Sequence, residues 1–322
     1  MNRDILIGLT IAGIVLSTSC KKNTTHDTSC TSTLYGYTTP VSAMYLPDTT
    51  CNFGIINEST ALFSGLGTFS GCVYSNQAAY STSDNYYYAF KMGMGAASGG
   101  PILYKINTVG TTTALANSSG ASYASLTYDG ATNSLYGVSA GHLVQITIAA
   151  TTFSSTDLAM PIHPFAMYNW ATADPLTVDN TTGDVYYVTG DTLTYYIEKY
   201  HPGTSASSVV ASGTGAWDIY GMQFNKNDNM LYAVKENVSG SSYDFIKIDP
   251  STGTISTLTA LSMGFNSDFY STCIDPCSNR YIISTRASIV ATNSFSLIQL
   301  SMTGSIVQQD TTATMYQGLT AH

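Results

Sequence analysis

Five stretches of this sequence repeat one short plan at nearly constant spacing, and that repeat restricts the fold more than any other feature. They are Ser81–Tyr88, Asp129–Tyr136, Asp179–Tyr186, Asn225–Tyr232 and Asp275–Tyr281, and their first residues lie 48, 50, 46 and 50 positions apart. Each opens on a turn-forming polar residue and carries Asn or Gly four positions later. Each then enters an apolar strand through a tyrosine, with Tyr281 arriving one position early. Asp and Asn side chains fold back on their own backbone, and Asn and Gly tolerate positive φ, so each stretch reads as a hairpin.

A short strand precedes each hairpin, as in Tyr123–Tyr128 and Tyr220–Phe224. An alternating strand follows it, as in Leu103–Ile106, Leu143–Ile146, Tyr196–Tyr200, Phe245–Ile248 and Ser296–Leu300. Turn residues such as Asp249–Gly253 and Ser301–Gly304 then lead into a last strand, such as Ile255–Leu258. Four strands in about 45 to 50 residues is the plan of a propeller blade. A helical solenoid of similar period would need a 3.6-residue apolar spacing, which is absent. The last residues, Tyr316–His322, align with Tyr123–Asp129, and Leu34–Tyr37 and Phe53–Ile56 resemble second and third strands. The expected fold is therefore all-β: a six-bladed β-propeller of four-stranded blades over residues 32–322, closed when the C-terminal strand completes the N-terminal blade. Such closure removes exposed sheet edges. The pattern resembles the six-bladed propellers of the NHL and TolB-like kind, through motifs common to propeller blades in general. A seven-bladed ring and a pair of β-sandwiches are the alternatives.

The N-terminus carries a different signal. Ile5–Leu16 is an apolar run of 12 residues, whereas a spanning helix needs roughly 20. It suits the apolar core of a secretory signal. Ser17-Thr18-Ser19 and then Cys20 resemble the lipobox of bacterial lipoproteins, although Leu16 stands four rather than three positions before the cysteine. The resemblance implies a signal peptide over 1–19, lipidation of Cys20 and a membrane partner held through that lipid. Localisation to the cell envelope, at the outer membrane, follows from it. Residues 20–31 are then a polar tether reaching roughly 16–19 Å from the bilayer.

Charge excludes some partners. Formal net charge is −9, and no run of Lys or Arg exceeds Lys21-Lys22, so no nucleic-acid partner is expected. Six cysteines in an exported chain suit disulfides. A local bridge between Cys273 and Cys277 is expected across Ile-Asp-Pro, with one more among Cys30, Cys51 and Cys72. The lack of Cys-x-x-Cys argues against a zinc site, and no metal site is expected.

Candidate chemistry concentrates on loops. In propellers generally, ligands sit at one mouth of the central channel, on loops that join one blade to the next. Those loops hold His163 and Trp170, then Trp217, Asp218 and Tyr220, then Asp268, Phe269 and Tyr270. Aromatic rings beside a few polar groups suit a sugar or small-molecule platform. Packing of the rings between blades is the competing explanation for any one of them. Two further matches fail on context. Gly137–Gly141 fits G-x-S-x-G around Ser139, but it lies between two strands rather than before a helix. Asn225, Asn227, Asn229 and Glu236 imitate a calcium loop, yet Met230 stands where the turn glycine belongs. The expected function is a non-catalytic, membrane-tethered binding or scaffold module for a glycan or another envelope protein. The alternative is a propeller hydrolase, lyase or lactonase-like enzyme, and the sequence names no cofactor.

Overall fold

The repeated turn signal is where the chain reverses. Asn85, Asn133, Asn229 and Asn279 have φ of 58°, 55°, 59° and 52°, and Gly183 has 75°. These are the residues four positions into each repeat. The opening residue caps the turn: Asp129 Oδ1 accepts from Ala131 N at 2.9 Å, and Asp179 Oδ1 accepts from Thr181 N at 2.8 Å. Asn225 and Asp275 accept from Asn227 N and Cys277 N in the same way.

In this computed structural model the described residues are 30–38, 50–70, 78–91, 102–118, 123, 125–165, 176–190, 193–214, 219–237, 242–261, 270–286 and 294–322. The chain divides into Met1–Thr31 and Ser32–His322. Of the first unit only Cys30 and Thr31 are described, so the expected signal peptide and Cys20 lie outside the described residues. Among the described residues, no helix is long and apolar enough to cross a membrane.

In the second unit every described regular element is a strand. The first three are β1 (Leu34–Thr38), β2 (Thr50–Ile56) and β3 (Phe63–Ser70). They are followed by β4 (Ala78–Ser81), β5 (Tyr86–Lys91), β6 (Ile102–Asn107) and β7 (Thr112–Asn117). Next are β8 (Leu126–Asp129), β9 (Ser134–Ser139), β10 (His142–Ile148) and β11 (Thr152–Ala159). Then come β12 (Leu176–Val178), β13 (Val185–Gly190), β14 (Thr194–His201) and β15 (Ala206–Thr214). A further meander holds β16 (Ile219–Asn225), β17 (Met230–Glu236), β18 (Tyr243–Ile248) and β19 (Ile255–Leu261). The last strands are β20 (Tyr270–Asp275), β21 (Arg280–Arg286), β22 (Phe295–Ser301), β23 (Ile306–Thr312) and β24 (Tyr316–Ala321).

Strands four at a time form antiparallel meanders, and β24 joins the first one in the order β24-β1-β2-β3. One sheet is thus shared by the two ends of the unit. The meanders β4–β7 and β8–β11 are further joined by parallel pairing of β7 with β11, Thr152 opposite Ala116 and Phe153 opposite Asn117.

Burial explains the radial order. All six residues of β9 and of β13 are buried, whereas β19 and β23 each have a single buried residue. Second strands are covered on both faces because each meander packs face to face on its neighbours. The apolar clusters show this directly: each draws on two consecutive meanders, for example Phe90, Leu103 and Leu115 against Tyr123, Leu135 and Val144. Another joins Leu34, Ile56 and Leu319 of the shared sheet to Cys273, Ile282 and Leu297. Fully buried rings such as Phe53, Phe245 and Phe295 each contribute roughly 1.5–3 kcal/mol through removal from water. First strands touch in the order β4, β8, β12, β16, β20, β24 and return to β4. The architecture is that of a β-propeller.

The cysteines depart from expectation. Cys273 is a free, buried thiol, while Cys30, Cys51 and Cys277 are disulfide-bonded. The expected Cys273–Cys277 bridge therefore does not form. Cys273 lies within β20 and points into the cluster with Ile282 and Leu297, whereas Cys277 rides on the turn that the Asp275 carboxylate caps. Cys72 lies outside the described residues.

Candidate functional site

The first strands enclose a cavity of about 510 Å³ along the ring axis. Its wall repeats with the blades. The position two before each hairpin anchor supplies Ala79, Thr127, Thr177, Gln223, Cys273 and Thr320, all of which line the cavity. Edge strands ordinarily leave one row of backbone groups unpaired. Here neighbouring side chains take up part of that row. Phe224 N donates to Thr177 Oγ1 at 3.0 Å, Leu319 N to Ser271 Oγ at 2.8 Å, and Thr272 Oγ1 to Gly221 O at 3.0 Å.

Two second-strand tyrosines reach in to the same level. Tyr87 Oη donates to Gly318 O at 2.6 Å, and Tyr281 Oη donates to Gly221 O. Gly221 and Gly318 have φ of 58° and 57° and lie where the register of β16 and β24 shifts. This left-handed conformation turns a carbonyl toward the neighbouring tyrosine, and glycine adopts it without strain.

Among the described residues no Asp or Glu lines the cavity; its ionisable lining residues, tyrosines aside, are Cys273, Lys226 and His322. Burial holds the His322 imidazole below its ordinary pKa, so it is neutral at pH 7. Burial, and then Tyr35 and Asp84, push the Tyr80 phenol up to about 12. Burial, and then Glu58 and Asp275, hold the Cys273 thiol well above its ordinary value. The carboxylates of the hairpins are instead turned into their own turns, as with Asp129, Asp179 and Asp275. Among the described residues no group of His, Cys, Asp and Glu is placed to hold a metal ion.

The residues expected to form the loop platform are distributed as follows. Trp170, Trp217, Asp218, Asp268 and Phe269 lie outside the described residues, and Tyr270 is described only as the first residue of β20. Tyr220, on β16, is buried in the apolar cluster between the β16–β19 and β20–β23 meanders, and its hydroxyl donates to Glu236 Oε2 at 2.6 Å. His163 is fastened to Glu198, a fully buried carboxylate of β14. Glu198 accepts from Ile162 N at 2.8 Å, His163 N at 2.9 Å and Thr189 Oγ1 at 2.7 Å, and lies 2.9 Å from His163 Nδ1. The His163 ring stacks on Tyr196 at 3.5 Å. Neither Tyr220 nor His163 lines the cavity. Sequence reasoning missed Thr127, Thr177 and Gln223; their common place two before the hairpin anchor was the available signal.

With this geometry the chain falls in the β-propeller class. No protein-family model matches it, and no curated protein matches it in sequence. Solved structures do. A chain of a nidogen–laminin complex superposes with a TM-score of 0.60 at 12% identity, over 90% of this chain and 98% of that one. TolB from Acinetobacter baumannii gives 0.60 at 13% identity, over 90% of this chain and 66% of that one. The periplasmic gluconolactonase of Pseudomonas aeruginosa gives 0.53 at 8% identity, over 89% and 99%. Likeness at these identities defines the propeller fold.

Proposed function

We propose that this chain is a lipid-anchored, six-bladed propeller of the cell envelope that acts as a non-catalytic binding or scaffold module. The count of six is supported by the return of β24 to β4 after five other first strands and by the sheet shared between both ends. The anchor is Cys20, exposed by removal of residues 1–19, with 20–31 as tether at the outer membrane; the export-type N-terminus supports this. Disulfides at Cys30, Cys51 and Cys277 agree with an oxidising compartment. The ligand is a glycan or another envelope protein, met at the ring axis and on the loops that bear Trp170, Trp217, Asp218, Asp268, Phe269 and Tyr270, with Tyr220 and His163 at their bases.

The observation that carries this reading is the axial cavity, whose described walls carry hydroxyl and carboxamide groups and no Asp or Glu. General acid–base hydrolysis needs a titratable pair facing the reacting bond, and the described wall offers binding groups instead. The fold likeness to a gluconolactonase supports the second reading, a lactonase-like or other hydrolase. Two measurements separate them. Incubation of the purified protein with lactone and glycoside substrates should release no product, and turnover would favour the enzyme. Cys20→Ala should abolish incorporation of labelled fatty acid and release the protein from the membrane fraction. Retention of both would remove the lipoprotein reading.

A further inference from the structure

We propose that the hairpin end of the axial cavity is a carbohydrate subsite for a neutral mono- or disaccharide, held by Asn180, Gln223 and Thr127. It rests on the binding-module reading and adds both the ligand class and the end from which the ligand enters. That end is opposite the loop platform expected from the sequence.

Hydrogen-bonding capacity along the channel is unevenly used. Toward the loop end, the Gly221 and Gly318 carbonyls, Leu319 N and the Ser271 hydroxyl are all engaged within the protein. Toward the hairpin end, side chains keep unused groups. Asn180 accepts from Gly130 N through Oδ1, which leaves both Nδ2 protons to donate. Gln223 donates through Nε2 to Thr272, which leaves Oε1 to accept. The Thr127 hydroxyl, on β8 next to the strand that leads to Asn180, lines the same cavity and can do either. Phe224 and Tyr128 supply apolar surface beside these groups.

The chemistry of this set selects the ligand. Mixed donors and acceptors without an Asp or Glu among the described residues match sugar hydroxyls, which donate and accept alike. A metal ion or organic cation would find no Asp or Glu on the described wall. A strong anion would find one exposed lysine, Lys226, and a neutral imidazole at His322. A cavity of about 510 Å³ falls within the roughly 300–1,000 Å³ usual for small-molecule sites and is too small for a folded partner. Apolar sugar faces pack on aromatic surface, which Phe224 and Tyr128 provide.

The test is calorimetric titration of the full-length protein with glucose, galactose, N-acetylglucosamine, maltose and cellobiose, with glucuronate as the charged comparison. The expected result is saturable binding of at least one neutral sugar, tighter than glucuronate. Asn180→Ala and Gln223→Ala should each weaken it about tenfold, the loss expected for one hydrogen bond, with melting temperatures near that of the parent. Ser251→Ala, on a distant turn, should leave it unchanged. The subsite is overturned if none of the neutral sugars binds, if both channel variants bind as the parent does, or if glucuronate binds tighter. Binding lost in Trp170→Ala but kept in both channel variants would also overturn it, while leaving the loop-face module intact.

Discussion

The hydroxyl of Tyr87 donates to the carbonyl oxygen of Gly318 at 2.6 Å, joining β5 to the final strand across 231 positions of sequence. Tyr281 makes the equivalent bond to Gly221 from β21 to β16. Both phenols sit in apolar surroundings, and burial holds the Tyr87 pKa well above its ordinary value, so it is a donor at any working pH. Tyr87→Phe should therefore lower unfolding free energy by about 1–3 kcal/mol, since it strands a buried acceptor while keeping the ring. Gly318→Ala should cost more, because a Cβ there would stand 2.2 Å from Tyr87 Oη on a backbone with φ of 57°. Chemical denaturation of both variants checks the order, and a Tyr87→Phe variant as stable as the parent would refute the role.

The positive-φ hairpin residues offer a second check. Asn279 adopts φ of 52°, and its Oδ1 accepts from Asn225 Nδ2 and Asn227 Nδ2, both at 3.0 Å. Asn279→Gly keeps the turn and loses that link between neighbouring hairpins, whereas Asn279→Val loses both. The valine variant should be less stable than the glycine one by at least about 1 kcal/mol. Equal melting temperatures would show that the turn imposes no such constraint.

These hairpins were legible in the sequence because each is local: anchor, turn residue and tyrosine lie within eight positions. The shared sheet was legible because Tyr316–His322 repeats the strand that precedes a hairpin. Contacts between distant segments were not. Nothing in the run around Glu198 announces that its carboxylate holds Ile162 and His163, some 35 positions earlier. The short spacing of Cys273 and Cys277 suggested a bridge, yet strand alternation sends Cys273 into the apolar interior. The axial wall shows the same limit. Thr127, Thr177 and Gln223 occupy one repeat position, but only the closed ring turns that position toward an axis.

Glu58 should make stability depend on pH near neutrality. Burial raises its carboxyl to about 7, Asp275 adds to the rise, and Arg280 and Ser32 oppose it. The hairpin that carries it docks on the last meander: Gln299 Nε2 donates to Glu58 O at 2.6 Å and Gln308 Nε2 to Ser59 O at 2.9 Å. Because the folded pKa lies above the unfolded value of 4.5, the group's stabilising contribution is complete below about 4.5. It is lost as pH rises through about 7. Glu58→Gln should accordingly raise the melting temperature at pH 8 and change it little at pH 4.5. Parallel melting curves for the two proteins across that range would sink the assignment.

Cys273 should be silent toward thiol reagents until the protein unfolds. Its thiol is buried, and burial foremost raises its pKa well above the ordinary value, so almost no thiolate exists at neutral pH. Alkylation without reductant should label Cys273 only in denaturant, and peptide mapping should find Cys30, Cys51 and Cys277 unlabelled there. Label on Cys277 before reduction would contradict its disulfide.

The Glu198 carboxylate should be the most costly single polar group to remove. It has no exposed surface, and three protein donors converge on it beside the His163 imidazole. Glu198→Ala would leave Ile162 N, His163 N and the Thr189 hydroxyl without their acceptor, two of them at the head of the segment that ends in buried Phe165. Each such loss is worth about 1–3 kcal/mol where water cannot replace the partner. The variant should thus be destabilised by at least about 3 kcal/mol, since three donors lose their acceptor together. His163→Ala removes only the ring, which stacks on Tyr196, and leaves the backbone N–H in place, so it should cost less than half as much. Hydrogen exchange separates a local from a global effect: in Glu198→Ala the amides of Ile162 and His163 should exchange far faster than those of β13. If they keep the parent's protection, the carboxylate does not hold this segment.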